Sequence, residues 1–232
     1  MTRAFHPDPS WVAVDEWLSQ TLLSATEEDT DSIYRRNKAG GLPPIDVVPN
    51  AGKFLCLLAK IAGARRVLEI GTLGGYSSTW FAKALPPDGK VVTLEINPHY
   101  AEVARENHVL AGVADLVEIV VGPAMDSLLA FKAEGVQPFD LVFVDADKRN
   151  NANYVRLSVD LAHPGTVIVV DNVVRAGALI DPNALDPEHG DADTRGTREV
   201  LELLGSHPKL EATALQLVSS KGWDGMAIAV VR

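Results

Sequence analysis

A single cysteine, Cys56, in a chain of 232 residues rules out an internal disulfide. No apolar run approaches the length needed to cross a bilayer. The opening residues, Met1-Thr2-Arg3-Ala4-Phe5-His6-Pro7, lack the apolar segment of a secretory signal. Positive charge is scarce: 21 lysines and arginines against 31 aspartates and glutamates leave a net charge of −10. Such a chain has little general attraction for nucleic acid phosphates or an anionic membrane. There is no internal repeat and no low-complexity stretch. The six histidines (His6, His99, His108, His163, His189 and His207) are scattered, and no metal-ligand spacing joins them to one another or to Cys56. These absences lead to the expectation of a cytoplasmic protein that binds neither nucleic acid nor membrane. Apolar content of 47% and charged content of 22% are those of a globular chain long enough for one large α/β domain, 1–232.

The dinucleotide fingerprint G-x-G-x-x-G is also missing, although the chain offers a similar setting for it. The run Val67-Leu68-Glu69-Ile70 reads as a strand and ends at Gly71-Thr72-Leu73-Gly74-Gly75, with a helix starting near Ser77. A glycine turn lets the backbone approach a ligand, and the new helix aims its free N–H groups into the same space. Glu69, two residues before the first glycine, would repel a pyrophosphate and suits a cationic ligand instead. S-adenosylmethionine, with an ammonium, a sulfonium and no phosphate, answers that description. Glu95 ends the next strand, Val91-Val92-Thr93-Leu94-Glu95, where an acid can hold ribose hydroxyls. The turn alone also fits an ordinary glycine-rich βα connection with two surface acids; the two acids together favour the cationic ligand.

Around this centre, residues 1–62 read as an N-terminal helical cap region and 63–232 as an α/β core. Ser10 is expected to cap a first helix, and Thr26-Glu27-Glu28-Asp29 to start a second. Arg35, Arg36 and Lys38 read as its basic end. Leu42 to Pro49 is extended because of its prolines. Asn50 is expected to cap a helix over about 51–62 that buries Cys56. Strands over 67–70, 91–95, 116–121, 139–144 and 166–170 then alternate with helices near 77–84, 98–111, 124–134 and 150–162. Such alternation predicts a doubly wound, mostly parallel sheet covered on both faces. Residues 176–196, acidic and broken by proline and glycine, read as a mobile lid loop. A helix near 195–204 and two strands, 210–218 and 225–231, close the chain as an antiparallel edge pair.

A second group of polar residues falls at strand ends. Strand 139–144 stops at Asp145, with Asp147 and Lys148 just beyond; strand 166–170 stops at Asp171-Asn172. Ligands of open α/β sheets bind beyond the carboxyl ends of the strands. If those two strands are neighbours, their ends lie within roughly 5 Å. Two carboxylates so close repel unless a cation lies between them. Asp145, Asp171 and the Asn172 amide oxygen form an all-oxygen set suited to Mg²⁺ or another hard cation such as Mn²⁺ or Ca²⁺. Taken singly, each residue is also an ordinary strand-end acid or turn pair.

The segments VLEIGTLGGYSS (67–78), VVTLEINP (91–98), GPAMDSL (122–128), FDLVFVDADKRNNANY (139–154) and VIVVDN (167–172) resemble, in order and spacing, the class I S-adenosylmethionine-dependent O-methyltransferases. More narrowly they are similar to the cation-dependent catechol and caffeoyl-CoA group. The resemblance implies a Rossmann-like seven-stranded sheet and a homodimer. Glu69, Gly71 and Ser77 would hold the methionine end of the donor, with Val47 and Thr72 lining the pocket. Glu95 would bind the ribose, Ala124 (with Met125 and Asp126) would border the adenine, and Asp145, Asp147 and Tyr154 would complete the cofactor site. Asp145, Asp171 and Asn172 would be the metal ligands, and Lys148 the general base. Ala176 stands where the caffeoyl-CoA enzymes carry a substrate-touching asparagine, so a free catechol-type phenol fits better than a CoA ester. Two alternatives stay open. An NAD(P)-dependent oxidoreductase requires the missing fingerprint, and a non-catalytic S-adenosylmethionine-fold binding protein predicts a damaged cofactor or metal motif.

Overall fold

The structure is a computed structural model and describes residues 7–23 and 28–232. Helix α1 (Pro9–Leu22) starts where proline sits in the first turn and Asp8 accepts from the Ser10 amide at 2.8 Å. Asp8 is thus the cap, not Ser10, whose hydroxyl also donates to it at 2.6 Å. Helix α2 (Glu28–Ala39) carries Arg36 and Lys38 in its last turn. The Thr26 and Glu27 part of its expected start lies outside the described residues. Helix α3 (Pro49–Ile61) begins before the expected position because Pro49 is pre-set for the first helical turn. Asn50, expected as its cap, instead donates to Asp15 of α1 at 2.6 Å and to Ser19 at 2.9 Å. Cys56 is buried.

From β1 (Arg66–Ile70) the chain alternates through α4 (Tyr76–Ala84), β2 (Lys90–Glu95), α5 (Pro98–Leu110), β3 (Val117–Val121), α6 (Ala124–Glu134), β4 (Phe139–Val144), α7 (Asn151–Asp160) and β5 (Ala162–Asp171). The fifth strand starts several residues earlier than its apolar run suggests. His163-Pro164-Gly165 belong to it across a register shift against β4, and α7 stops at Asp160. Helix α8 (Ala192–Ser206) and the hairpin β6 (Leu210–Ser219) and β7 (Gly222–Val231) complete the chain. Among the described residues no helix is long and apolar enough to cross a membrane.

The seven strands are ordered β3-β2-β1-β4-β5-β7-β6. All pairings from β3 to β5 are parallel, and β7 runs antiparallel to both of its neighbours. Successive residues of the central strands alternate between two buried faces. Val67, Val91, Leu141 and Val169 pack with α3 and α4 through Leu55, Trp80 and Phe81. Leu68, Val142, Ile168 and Val170 pack with α6, α7 and α8 through Leu128, Val155 and Val200. Burial on both faces explains the near-continuous apolar strands. The chain leaves β1 toward β2 and β3, then returns to place β4 on the other side of β1. That reversal opens a crevice at the carboxyl ends of β1 and β4, where open α/β sheets take ligands.

Candidate active site

Gly71 and Asp145 follow the two strands that flank the crevice. Gly71 adopts φ of +103°, and a side-chain carbon there would stand 2.2 Å from the Asp145 carbonyl oxygen. Glycine is therefore demanded both by the backbone conformation and by the close approach of a neighbouring strand end. The turn that follows is held from β2: Glu95 accepts from the Leu73 amide and from the Asn97 amide, each at 2.8 Å. From α5, Asn107 donates to the Gly74 carbonyl at 2.7 Å and to Asn37 at 2.8 Å. Arg36 donates to Asn107, so this arginine of the basic cluster braces the turn.

Beyond the turn lies a cavity of about 570 Å³. Of the expected cofactor residues, Val47, Gly71, Thr72, Ser77, Glu95, Ala124, Asp145, Asp147 and Tyr154 line it. Glu69 does not reach the wall; it is fully buried. Its Oε2 accepts from Thr93 at 2.5 Å, and Oε1 has no hydrogen-bond partner. Burial pushes the Glu69 carboxyl up to about 8, opposed by the nearby Ser77 and Thr93 hydroxyls. An orphaned buried carboxylate oxygen beside a glycine turn fits a cationic ligand and does not fit a phosphate. Tyr154 donates to Asp147 at 2.5 Å, and Asn150 donates to the other oxygen of Asp147 at 2.6 Å. Burial raises the Tyr154 phenol, with Asp147 adding to the effect.

The two strands that end in acids are indeed neighbours, with Val144 in register with Val170. Lys148, nearly buried, donates from Nζ to Asp145 Oδ1 at 2.5 Å. Asp171 is 8% exposed, and burial together with the charge of Asp145 lifts its carboxyl to about 7, against the pull of Lys148. Asn172 takes φ of +57°, a conformation that asparagine tolerates better than most side chains, and its backbone N–H donates to Asp171 Oδ1 at 2.8 Å. Among the described residues there is no cluster of three or more His, Cys, Asp or Glu able to hold a metal ion. Asp145, Asp171 and Asn172 are two carboxylates and one amide. This all-oxygen set, with a buried carboxyl whose ionisation is opposed, fits a hard divalent cation.

Asn172 also lines a second, larger cavity of about 740 Å³, together with Asp171. Its walls include Phe54 of α3, Leu215 and Leu217 of β6 and Met226 of β7. Ile45, Asp46 and Val47 border both cavities. The sequence reading missed Asp46 and Lys221. Asp46 lies within the proline-rich stretch and is brought in by Asn37, which donates to it at 2.7 Å. Lys221 enters only because β7 pairs antiparallel with β5, Asp171 opposite Met226. The expected lid begins with a 3-10 helix, Arg175–Ile180, and its last residues belong to α8. Arg175 ties the two ends together, donating to Asp191 at 3.1 Å and Thr194 at 3.2 Å.

Comparison with known proteins adds an independent line. The family model described as O-methyltransferase matches residues 24–228. A catechol O-methyltransferase of Mycobacterium tuberculosis is 51% identical over 219 residues, covering 94% of this chain and 95% of that protein. The solved O-methyltransferase of Bacillus cereus, in complex with SAH, superposes with a TM-score of 0.91 at 45% identity, covering 96% of this chain and 99% of that one. The O-methyltransferase TomG of Streptomyces achromogenes, solved with SAM, gives a TM-score of 0.89 at 42% identity, covering 100% and 99%.

Proposed function

The chain belongs to the O-methyltransferase family and is an S-adenosylmethionine-dependent O-methyltransferase, and we propose that its acceptor is a small catechol-type phenol held on a divalent cation at Asp145, Asp171 and Asn172. One observation carries the acceptor reading: neighbouring parallel strands end in two carboxylates and an amide, beside a nearly buried lysine and between two cavities. Family membership leaves the oxidoreductase reading without support. The name of the Mycobacterium relative points to the same acceptor class.

In this reading the 570 Å³ cavity takes the methyl donor and the 740 Å³ cavity takes the ring. Glu69 supplies the negative charge that offsets the donor's cationic end. Glu95 braces the glycine turn and would bind the ribose hydroxyls. Asp145, Asp171 and Asn172 would hold Mg²⁺ or a similar ion, whose Lewis acidity would make a catechol hydroxyl more acidic. Lys148 takes that hydroxyl's proton, and Asp145 holds its Nζ in place. The phenolate oxygen then forms the new O–CH₃ bond as the methyl–sulfur bond breaks, leaving S-adenosylhomocysteine. Opposite charges cancel in that step, so walls that exclude water favour it. Holding oxygen, carbon and sulfur in line accounts for much of the acceleration, since positioning can contribute about 7–11 kcal/mol.

Homodimerisation and cytoplasmic residence belong to the same proposal. Exposed apolar side chains on α1 (Val14, Trp17 and Leu22) support the first. The test of the whole reading is a panel of phenols assayed with labelled donor, with and without EDTA, for wild type and Asp171→Ala. Methylation of vicinal diols that EDTA or Asp171→Ala abolishes, with donor binding retained, is the expected result. Turnover of simple monophenols at equal rates, indifferent to EDTA, would exclude the cation.

A further inference from the structure

The cavity next to Asp171 and Asn172 is large enough for an aromatic ring with a substituent, and most of its wall is apolar. Its charged lining comprises Asp15, Asp46, Asp171, Asp224 and, among the described residues, a single cation, Lys221. The acids are largely committed to the fold. Asp15 accepts from Asn50 at 2.6 Å and from the Ser220 amide at 2.9 Å. Asp224 accepts from the amides of Val174, Arg175 and Gly225 at 2.9–3.0 Å. Asp46 accepts from Asn37 at 2.7 Å, and burial raises its carboxyl above the usual range. Asp171 belongs to the proposed cation site.

Lys221 is placed differently. It sits in the turn between β6 and β7, and that turn is fixed: its own amide donates to Ser219 Oγ at 3.1 Å, and the preceding amide donates to Asp15. The residue as a whole is exposed, yet its ammonium reaches inward and donates to the Asp46 carbonyl. An ammonium has three donors and this bond uses one. Burial lowers the Lys221 ammonium, while the charges of Asp46, Asp145 and Asp171 act to hold the proton on it. A cation kept at the wall of an acceptor cavity, with donors to spare and near the proposed diol site, is suited to an anion carried by the acceptor itself.

We propose that Lys221 selects acceptors bearing a carboxylate on the part of the ring remote from the diol, its spare N–H groups binding that carboxylate within the cavity formed by α3, β6 and β7. This inference rests on the diol reading above, so the test separates the two. Steady-state kinetics are measured for wild type, Lys221→Met and Lys221→Arg with catechol, 3,4-dihydroxybenzoate and 3,4-dihydroxyphenethylamine. Binding of the first two to the protein saturated with S-adenosylhomocysteine is measured by calorimetry. Wild type is expected to prefer the benzoate to the amine. Lys221→Met should raise the KM of the benzoate relative to that of catechol by about tenfold, the scale of one charged hydrogen bond. The kcat ratio should move far less, the calorimetric affinities should shift by the same factor, and Lys221→Arg should restore most of the difference. A wild-type preference for the amine, or a Lys221→Met effect equal for all three acceptors, would overturn the assignment while the diol reading survives. Failure of wild type to methylate any of the three would remove the diol reading, and this inference with it.

Discussion

Replacing Glu69 by glutamine should make the protein more stable and a poorer binder of its methyl donor, and the structure sets the size of the first effect. Glu69 is fully buried on β1, with one oxygen hydrogen-bonded to Thr93 and the other orphaned. Its carboxyl is displaced from an ordinary 4.5 to about 8, chiefly by burial. At roughly 1.4 kcal/mol per pH unit, that displacement corresponds to about 5 kcal/mol as an upper bound. The sign follows from a raised carboxyl. The contribution is fully present below pH 4.5, where both folded and unfolded chains are protonated, and is lost as pH rises toward and through 8. Glutamine cannot ionise, so the variant escapes this loss. Turning its amide toward the Thr93 hydroxyl adds a pH-independent cost of about 1–2 kcal/mol. Urea unfolding of the donor-free protein at pH 5, 6, 7 and 8 should therefore show the variant gaining on wild type by about 4 kcal/mol across the series. Calorimetry should show donor affinity reduced by about tenfold, the scale of losing one charge that acts across the cavity wall and not by direct contact. Wild-type donor affinity should rise with pH up to about 8, with release of a proton on binding. A stability difference that stays constant from pH 5 to 8 would refute the reasoning.

The strand-end glycine gives a second test. Gly71→Ala combines a positive φ with a 2.2 Å encounter with the Asp145 carbonyl, whereas Gly63→Ala, at φ +62°, meets nothing within 4 Å. The first should cost ~3–5 kcal/mol and the second ~1–2 kcal/mol, read as thermal midpoints that fall about 2–4 °C per kcal/mol; equal midpoints would show that the neighbouring strand end yields. Lys148→Met should lower the saturated rate by ~100-fold or more while donor affinity is kept, as expected for loss of a general base, and a wild-type rate would assign the proton to another group. Asp145→Asn removes the carboxylate that holds Lys148 and one of the two charges that oppose ionisation of Asp171, so the Asp171 carboxyl should move down from about 7, visible as an altered pH dependence of stability between pH 4 and 7.

Much of this was legible along the chain because it depends on short-range chemistry. Apolar runs ending in Gly71, Glu95, Asp145 and Asp171 announce the strands and where they end, and Asn97-Pro98 marks the start of α5 as the structure has it. Misplaced boundaries share one cause: a competing partner, near in the chain or across the fold. Asp8 takes the cap from Ser10, and Pro49 starts α3 ahead of Asn50, which is drawn off to α1. At β5, pairing with β4 carries the strand back through His163-Pro164-Gly165, where local propensity argues for a break.

By itself, then, the order of residues determined the alternation of strands and helices and which acids stand at strand ends. Tertiary structure alone decided that β4 lies beside β5, so that the charge of Asp145 opposes ionisation of Asp171. It also decided that Glu69 keeps an unpartnered oxygen, and that Lys221, 50 residues past Asp171, turns toward the same cavity. The physical reason is range: propensity and capping act within a few residues, whereas desolvation and charge coupling depend on which distant strands the hydrogen-bonded sheet makes neighbours.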